Sequence, residues 1–346
     1  MILIDAVYIN SSGGKVLLEY FLKEQIKHFN YKNVFYLFDK RLIIDSNISI
    51  NTSNYKILNN SEKERKLFYK QNISKIKKIF CFANVPPPIN VKNIQVYILF
   101  HNTLLLKTNR FISSNILTTF LLYIKRQYIK LKNKEMYNWI VQTPTVKTLL
   151  ISSLNIKDAN IKILPFFYDE WPTKLNSLKL ENENNFLYVA DGSSQKNHLK
   201  LFKAIELLPD SLVKTLNFYF TVPSNFTLVI KNMKILKEKG YNIYNYGYCS
   251  KLQLETLYEK CNYLLFPSLT ESFGLPMLEG AKAGCKVITS DLPYVYDILS
   301  PHDVFNPNDA TSISNTIIRA LKIKKINATK ININNQINEI FKIILC

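Results

Sequence analysis

The chain has 346 residues, of which 47% are hydrophobic and 13% are aromatic. This length suits two domains of ordinary size, and the apolar content is too high for an intrinsically disordered chain. The formal net charge is +19, and residues 1–165 carry 25 Lys and Arg against 9 Asp and Glu. The positive excess therefore lies almost wholly in the first half of the chain.

A charge excess of this size predicts an anionic partner for the first half. The candidates are a membrane surface, a lipid-linked diphosphate and nucleic acid. The alternative is a solvated surface, because Lys, Asn and Ile are abundant throughout this sequence. We find no aromatic platform for base stacking and no nucleic-acid-binding motif, so we expect no nucleic acid partner.

The five cysteines are scattered, with neither metal-ligand spacing nor a paired framework. The chain opens with a short strand pattern rather than the basic segment of a signal peptide. No apolar run reaches the roughly 18–20 residues that span a bilayer. We therefore expect a cytoplasmic protein with reduced cysteines.

Apolar runs alternate with helical patterns along the first half, which is typical of βαβ units and a parallel sheet. Residues 11–14, Ser-Ser-Gly-Gly, form a predicted loop after the first strand. Predicted strands cover residues 2–8, 34–38, 78–82, 96–100, 139–142 and 161–164, and predicted helices cover 15–29, 62–70 and 120–136, with another starting at Pro144.

Residues 165–172, Pro-Phe-Phe-Tyr-Asp-Glu-Trp-Pro, break this alternation and are interpreted as a linker between two domains. We therefore predict a first domain over 1–168, a second over 169–325, and a terminal segment over 326–346 that contains a helix. In the second domain, strands are predicted at 186–190, 216–221, 243–246, 263–266 and 286–289, and helices at 199–208, 251–260 and 311–321.

Residues 266–291 hold the most informative pattern of the sequence. Glu271 and Glu279 lie eight residues apart, the first in a loop after an apolar strand and the second in the following helix. Pro276 fits the first turn of that helix, and Gly284 fits its end. Ligands of α/β units bind where loops leave the carboxyl ends of strands, and a helix N-terminus there offers N–H groups to an anion. The alternative is an ordinary βαβ crossover with Glu279 on a solvated helix face.

The same passage resembles the Glu-x7-Glu signature of the retaining GT-B glycosyltransferases of family 4, the glycosyl transferases group 1. The resemblance implies two Rossmann-like α/β domains that face each other across a cleft, with the last helix packing back on the first domain. It also implies a nucleoside diphosphate sugar as the donor, with no cofactor. By resemblance, Glu271 lies beside the donor sugar and Glu279 holds the ribose hydroxyls. The backbone of Phe273, Gly274 and Leu275 contacts the donor sugar or its phosphate.

A glycine- and serine-containing turn, residues 191–198, follows the strand that opens the second domain. Such a turn exposes N–H groups and Lys196 adds a positive charge, so Ser193, Ser194 and Lys196 are candidates for diphosphate binding. In the resembled family this segment usually carries an Arg and, five residues later, a Lys. Lys196 matches the Lys, but Asp191 stands in the Arg position, so that role is not transferred. The alternative for Lys196 is a solvated loop residue.

Three further candidates lie in the first domain. Gly13 and Gly14 resemble the glycine-rich loop that the first GT-B domain turns toward the cleft, since glycine lets a ligand approach the backbone closely. They lack the third glycine of the dinucleotide fingerprint Gly-x-Gly-x-x-Gly. His101 ends the strand 96–100, where family members often place a His that faces the donor sugar. By this resemblance, His101 would stabilise the developing oxocarbenium geometry through hydrogen bonds or position the sugar hydroxyls. The alternative for His101 is a polar residue that serves only the fold.

Two further patterns bear on partners. The segment 125–132 mixes basic and apolar residues as an interfacial helix does, and a solvated helix with one buried stripe is the alternative. We find no Asp-x-Asp after a strand and no His or Cys cluster, so we expect no metal site.

Together these inferences predict a retaining, metal-independent glycosyltransferase of the hexosyltransferase class. Its substrates would be a nucleotide sugar and a glycan or polyprenyl-diphosphate-linked acceptor. The basic first half would face an anionic acceptor or membrane surface, which favours bacterial O-antigen, lipopolysaccharide or capsule assembly at the inner membrane face. The alternative, left open by Asp191 in the Arg position, is an inactive GT-B-like protein that binds sugar nucleotides or nucleic acid.

Overall fold

The computed structural model describes residues 1–28, 33–106, 116–169, 184–322 and 329–345. Within these residues the chain divides into two compact units. The first unit holds the residues up to Asp169 together with those from Asn334 onward, and the second holds those from Asn184 to Ile333. Part of the predicted linker 165–172 and the predicted boundary at 325 lie outside the described residues.

The first unit is an α/β unit whose described part contains one sheet of seven parallel strands. The strands are β1 (Ile2–Ala6), β2 (Val34–Asp39), β3 (Tyr55–Leu58), β4 (Lys78–Cys81), β5 (Gln95–Phe100), β6 (Asn138–Val141) and β7 (Ile161–Ile163). Their order in the sheet is β3-β2-β1-β4-β5-β6-β7, so the strand order reverses between β1 and β4. The central strands are buried on both faces, which is why they are near-continuous apolar runs.

Helices cover both faces of this sheet. They are α1 (Ser12–His28), α2 (Glu62–Asn72), α3 (Ile116–Lys132), α4 (Pro144–Leu154) and the terminal α12 (Ile337–Leu345). The rings of Phe21 in α1 and Phe341 in α12 lie 5.2 Å apart in one core. Lys78 Nζ donates to the carbonyl oxygen of Ile343 at 2.9 Å, so the terminal helix packs within the first unit.

The second unit repeats this architecture in its described part. Its parallel strands are β8 (Asn185–Tyr188), β9 (Asn217–Phe220), β10 (Asn242–Asn245), β11 (Tyr263–Phe266), β12 (Lys286–Ser290) and β14 (Asp303–Phe305), in the sheet order β10-β9-β8-β11-β12-β14. A short antiparallel pair joins β13 (Leu299–Ser300) to β15 (Lys330–Ile331). The helices are α5 (His198–Glu206), α6 (Asp210–Val213), α7 (Thr227–Glu238), α8 (Lys251–Lys260), α9 (Leu275–Lys282), α10 (Pro293–Tyr296) and α11 (Ala310–Lys322).

The structure differs from the sequence prediction at several elements: α3 covers Ile116–Lys132 where a helix over 120–136 was expected, and short elements such as β14 were not predicted. The helix predicted from residue 15 begins at Ser12, so Gly13 and Gly14 lie in its first turn and not in a loop. Glycine disfavours a helix interior, but the tertiary packing of α1 overrides that local preference. β3 and α7 were not predicted. β3 is a four-residue edge strand with exposed Lys56 and Ile57, so it lacks a long apolar run. In α7 many polar residues interrupt the apolar ones, which weakens the helical pattern in the sequence. In the part of the chain that is described, no helix has the length and apolar character needed to cross a bilayer.

Candidate active site

The loop that carries Glu271 leaves the carboxyl end of β11 and leads into α9. Gly274 precedes α9 with a φ of 83°, a left-handed backbone that favours glycine. A Cβ built on it would lie 2.7 Å from Cε of Met277, so the end of the Met277 side chain would have to shift to admit a side chain there. Leu275 and the proline after it form the first helical turn, and Phe273 is buried and anchors the loop. The backbone of the predicted Phe-Gly-Leu loop is therefore held in one conformation.

The segment that carries Lys196 leaves the carboxyl end of β8 and leads into α5. Ser193 precedes a 3-10 turn over Ser194–Lys196. Asn197 follows with a φ of 62°, and its Nδ2 donates to the carbonyl oxygens of Pro267 at 3.2 Å and Pro307 at 2.7 Å. This one amide ties the turn to two other loops, of which one is the loop after β11.

These two segments meet because β8 and β11 are neighbours in the sheet, although they are far apart in sequence. The strand order reverses between them, which is where α/β sheets bind ligands. Lys196 Nζ lies 2.6 Å from Glu271 Oε1, and the N–H of Leu269 donates to the carbonyl oxygen of Gln195 at 2.8 Å. The Lys196 and Glu271 side chains are 17% and 13% exposed. They form a largely buried ion pair that solvent can still reach.

Glu279 lies further along α9, on a helix that is pressed against β11. A Cβ built on Gly280 would be 2.9 Å from Cδ2 of Leu264, so the glycine permits this close approach. Burial raises the pKa of the Glu279 carboxyl, and a hydrogen bond from the hydroxyl of Tyr258 to Oε2 at 2.8 Å opposes that rise. A carboxylate can accept about four hydrogen bonds, so Glu279 has capacity for hydroxyl donors besides Tyr258.

Asp191, which stands where the resembled family has an Arg, stabilises its own turn. Its Oδ1 accepts from the N–H of Ser193 at 3.0 Å, and its carbonyl oxygen accepts from Nε2 of His198 at 2.7 Å. Burial lowers the pKa of His198 to about 4, so this ring is neutral at pH 7. Asp191 therefore adds negative charge, and Lys196 is the cation that the described residues place against Glu271.

In the first unit, His101 follows β5 and is packed against α1. A Cβ built on Gly14 would lie 3.0 Å from Cε1 of His101, so the glycine makes room for the imidazole, whereas nothing lies within 4 Å of a Cβ on Gly13. The N–H of His101 donates to Oδ1 of Asn84 at 2.7 Å, and its Nε2 lies 3.1 Å from the carbonyl oxygen of Phe82. Burial lowers the pKa of His101 to about 4. The neutral ring donates from Nε2 to this carbonyl, and Nδ1 is then its acceptor nitrogen.

A buried charged cluster that sequence reasoning missed lies at the carboxyl end of β1. Arg65 Nε donates to Oδ2 of Asp5 at 2.7 Å, and both side chains are 1% exposed. Arg65 Nη1 donates to Glu62 at 3.0 Å, and the Glu62 carboxylate also accepts from the hydroxyls of Tyr8 and Tyr128. The cluster joins β1, α2 and α3, and removing one member would leave a buried charge unpaired. The one sequence signal was a polar Asp5 inside an apolar strand.

The sequence candidates fall into one group per unit. The second unit's group is supported by residues that sequence reasoning missed: the hydroxyl of Tyr188 donates to the carbonyl oxygen of Lys196 at 2.7 Å and lies 3.2 Å from Oγ of Ser268. Among the residues that the structure describes, no group of three or more His, Cys, Asp or Glu is arranged to hold a metal ion. The first unit contains Gly13, Gly14 and His101, and the second contains Ser193, Ser194, Lys196, Glu271, Phe273, Gly274, Leu275 and Glu279.

Comparison with known families places the second group in a recognised segment. Residues 169–337 match the model of the family described as "Glycosyl transferases group 1". This match covers both loops of the site and α9. It supports the predicted resemblance over the second unit.

The names of two curated relatives refer to O-antigen chains and to capsular polysaccharide biosynthesis. The O-antigen chain mannosyltransferase RfbU of Salmonella typhimurium is 25% identical over 197 residues, which cover 56% of this chain and 53% of that protein. The capsular polysaccharide biosynthesis glycosyltransferase CapH of Staphylococcus aureus is 26% identical over 179 residues, which cover 49% of this chain and 50% of that protein. The chain thus spans about half the length of these two relatives.

Solved structures confirm the predicted fold class. HepE of Anabaena, in complex with UDP and glucose, has a TM-score of 0.65 at 12% identity and covers 93% of this chain and 90% of that one. WaaG, a glycosyltransferase involved in lipopolysaccharide biosynthesis, has a TM-score of 0.64 at 12% identity, with 93% and 91% covered. These likenesses show the GT-B class, with two parallel-sheet α/β domains. The matched family model describes glycosyl transferases, and the relative RfbU is named as a mannosyltransferase, which is the predicted enzyme class.

Proposed function

We propose that this chain is a retaining, metal-independent glycosyltransferase that moves a sugar from a nucleoside diphosphate sugar to a glycan or lipid-linked oligosaccharide. The observation that carries the proposal is the ion pair between Lys196 and Glu271 at 2.6 Å, where the strand order of the second sheet reverses. The pair lies within the segment that matches the group 1 glycosyl transferases. It sets a cation and a carboxylate at the position where sheets of this kind bind ligands.

In the proposed donor complex, Lys196 contacts the diphosphate, beside Ser193 and Ser194. Glu279 accepts hydrogen bonds from the ribose hydroxyls, while Tyr258 holds its other oxygen. The N-terminus of α9 faces the same loop, and its N–H groups and dipole favour negative charge there. Glu271 and the backbone of the Phe273–Leu275 loop hold the sugar.

The ion pair suggests how the donor is engaged. A donor diphosphate carries two negative charges, whereas Glu271 carries one, so the diphosphate competes effectively for the Lys196 ammonium. The Glu271 carboxylate is then released to accept a sugar hydroxyl. Departure of the diphosphate is the demanding step, and preorganised positive charge at the leaving group should dominate the rate enhancement.

We further propose that transfer retains the anomeric configuration through a short-lived ion pair that the acceptor attacks from the leaving-group face. This proposal is supported by the resemblance of the Glu271 and Glu279 pattern. The neutral ring of His101, with Nδ1 as its acceptor, would accept a hydrogen bond from a hydroxyl of the donor sugar. Its low pKa rules against a role as general acid at pH 7.

The acceptor is proposed from charge and from the relatives. Residues 1–165 carry 25 Lys and Arg against 9 Asp and Glu, which suits a polyprenyl-diphosphate-linked acceptor and an anionic membrane surface. The names of the relatives refer to O-antigen and capsular polysaccharide. We therefore propose a cytoplasmic protein, peripheral at the inner membrane face, that acts in O-antigen, lipopolysaccharide or capsule assembly.

The test is a transfer assay with UDP- and GDP-sugars and a polyprenyl-diphosphate-linked oligosaccharide, starting with a mannose-carrying nucleotide because of the mannosyltransferase relatives. We expect acceptor-dependent nucleotide release that EDTA does not reduce, and a product whose anomeric signal in NMR matches that of the donor. An inverted product would contradict retention, and loss of activity in EDTA would contradict metal independence. Nucleotide binding without turnover would favour the second candidate, an inactive sugar-nucleotide-binding protein, to which Asp191 in the Arg position gives weight.

A further inference from the structure

Helix α3 in the first unit presents an exposed apolar face. Its members recur at helical spacing of three, four and seven residues, which places them on one side of the helix. An exposed apolar stripe of this kind on a soluble unit marks an interaction site. The members, here called the outer face, are Leu117, Phe120, Leu121, Ile124 and Leu131, which are 64%, 57%, 49%, 46% and 74% exposed.

The opposite side of α3 is fixed to the unit by buried and polar contacts. Arg126 donates from Nε to the carbonyl oxygen of Leu105 at 2.8 Å and from Nη2 to that of Leu106 at 2.7 Å. Ile129, on the same side as Arg126, is 1% exposed. Tyr128 lies on the side of the outer face by helical spacing, but it is half-buried and its hydroxyl donates to the Glu62 carboxylate of α2. These contacts hold the rotation of the helix, so the outer face cannot turn inward to bury itself.

The charge of α3 indicates which kind of partner binds the outer face. The helix contains four basic residues and no acidic residue. At about 100° per residue, Lys125 and Lys130 lie on the two sides of the outer face, between it and the fixed side. Lys125 is exposed and Lys130 is half-buried. Lysines in such positions can run their alkyl stems along an apolar boundary while their ammonium groups reach anionic phosphates.

We propose that the outer face of α3 docks the chain on an anionic lipid surface. The apolar side chains enter the boundary between headgroups and acyl chains, and Lys125 and Lys130 contact lipid phosphates. The helix is about 26 Å long at 1.5 Å per residue, and its basic residues keep it along the surface and not across it. Membrane docking rests on the proposed function, because a lipid surface is where a lipid-linked acceptor would be found. The vesicle-binding test uses neither donor nor acceptor, so membrane docking and sugar transfer can fail separately.

The experiment measures cosedimentation of the full chain with vesicles of phosphatidylglycerol mixed with phosphatidylcholine and with pure phosphatidylcholine vesicles. We expect binding to the anionic vesicles that weakens as salt is added. The triple variant Phe120→Ser, Leu121→Ser, Ile124→Ser should lose at least roughly tenfold in partitioning, because it removes the inserted side chains.

A matched control and a charge variant distinguish binding through the outer face from nonspecific binding to vesicles. The control is Leu228→Ser with Leu252→Ser, at side chains that are 60% and 73% exposed on other helices, and it should bind as the wild type does. Lys125→Gln with Lys130→Gln should weaken binding and flatten its salt dependence. Because all these side chains are partly or fully exposed, thermal melting should stay close to that of the wild type.

Three outcomes would overturn the proposal. The first is a wild-type chain that does not bind anionic vesicles, and the second is a triple variant that binds them as tightly as the wild type. The third is a wild-type dimer in sedimentation velocity that the triple variant converts to a monomer without vesicle binding by either form. That result would assign the outer face to a second copy of this chain.

Discussion

Replacing Lys196 with Ala tests the ion pair at the centre of the site. The variant removes the ammonium that lies 2.6 Å from Glu271, whose side chain is 13% exposed. Exposed pairs contribute roughly 0–1 kcal/mol, and removing one partner of a fully buried pair costs roughly 3–5 kcal/mol. The intermediate burial here predicts a loss of about 1–2 kcal/mol in the free energy of unfolding. The folded state therefore survives, and the effect on turnover can be read directly.

Turnover should fall far more than stability does. If the Lys196 ammonium stabilises charge on the departing diphosphate, its loss should lower kcat roughly a hundredfold or more, which corresponds to about 2.7 kcal/mol. The interaction strengthens as the bond to the sugar breaks, so kcat should fall with a smaller change in KM. Lys196→Arg keeps the charge and should restore part of the activity.

The assay is the initial rate of nucleotide release at saturating donor, with thermal melting of each variant in the same buffer. Comparing the Ala and Arg variants separates charge from packing, because both lose the lysine geometry. A Lys196→Ala enzyme that turns over at nearly the wild-type rate would refute the diphosphate role. Equal losses in the Ala and Arg variants would show that shape and not charge matters at this position.

Three further predictions concern residues around the site. Tyr258→Phe removes the hydrogen bond to Glu279 and should raise the Kd for nucleotide roughly tenfold, about 1.4 kcal/mol, with little change in kcat, as measured by titration calorimetry and initial rates. The unfolded chain takes up a proton at His198 near the usual pKa of 6.5, whereas the folded chain does so only near 4. The stability that comes from burying neutral His198 is therefore complete above pH 6.5 and is lost as the pH falls toward 4. Between pH 7 and pH 5 this loss should reach about 2 kcal/mol, and chemical denaturation of His198→Gln at both pH values should show a pH dependence smaller by that amount. Gly192→Ala should destabilise the chain by roughly 1–3 kcal/mol because of overpacking, since its Cβ would lie 2.4 Å from Cβ of Phe226; the control Gly13→Ala, with nothing within 4 Å, should melt as the wild type does.

The local part of the site was predictable from the sequence. The passage from β11 to α9 contains its own signals, because a left-handed turn requires Gly274 and a first helical turn tolerates Pro276. Most of the longer strands and helices along the chain followed in the same way from apolar runs and their period, with α7 as an exception. Short or edge elements such as β3 escaped, because few of their residues are buried.

The long-range part of the site was not predictable. Lys196 and Glu271 are 75 residues apart, and they meet only because β8 and β11 pair in the sheet. Tyr258 reaches Glu279 from another helix, with no spacing that links the two. The sequence showed which residue types were present, whereas strand order decided which of them lie together.

The most direct test of the donor site is thermal melting of the wild type and Glu279→Ala with a panel of UDP- and GDP-sugars, each with and without EDTA. A ligand that binds the folded state raises the melting temperature as its concentration exceeds its Kd. We predict a saturable shift in the wild type with one nucleotide class, unchanged by EDTA and lost in Glu279→Ala. An equal shift in Glu279→Ala, or no shift with any nucleotide sugar, would contradict a donor site built on Glu279, Lys196 and Glu271.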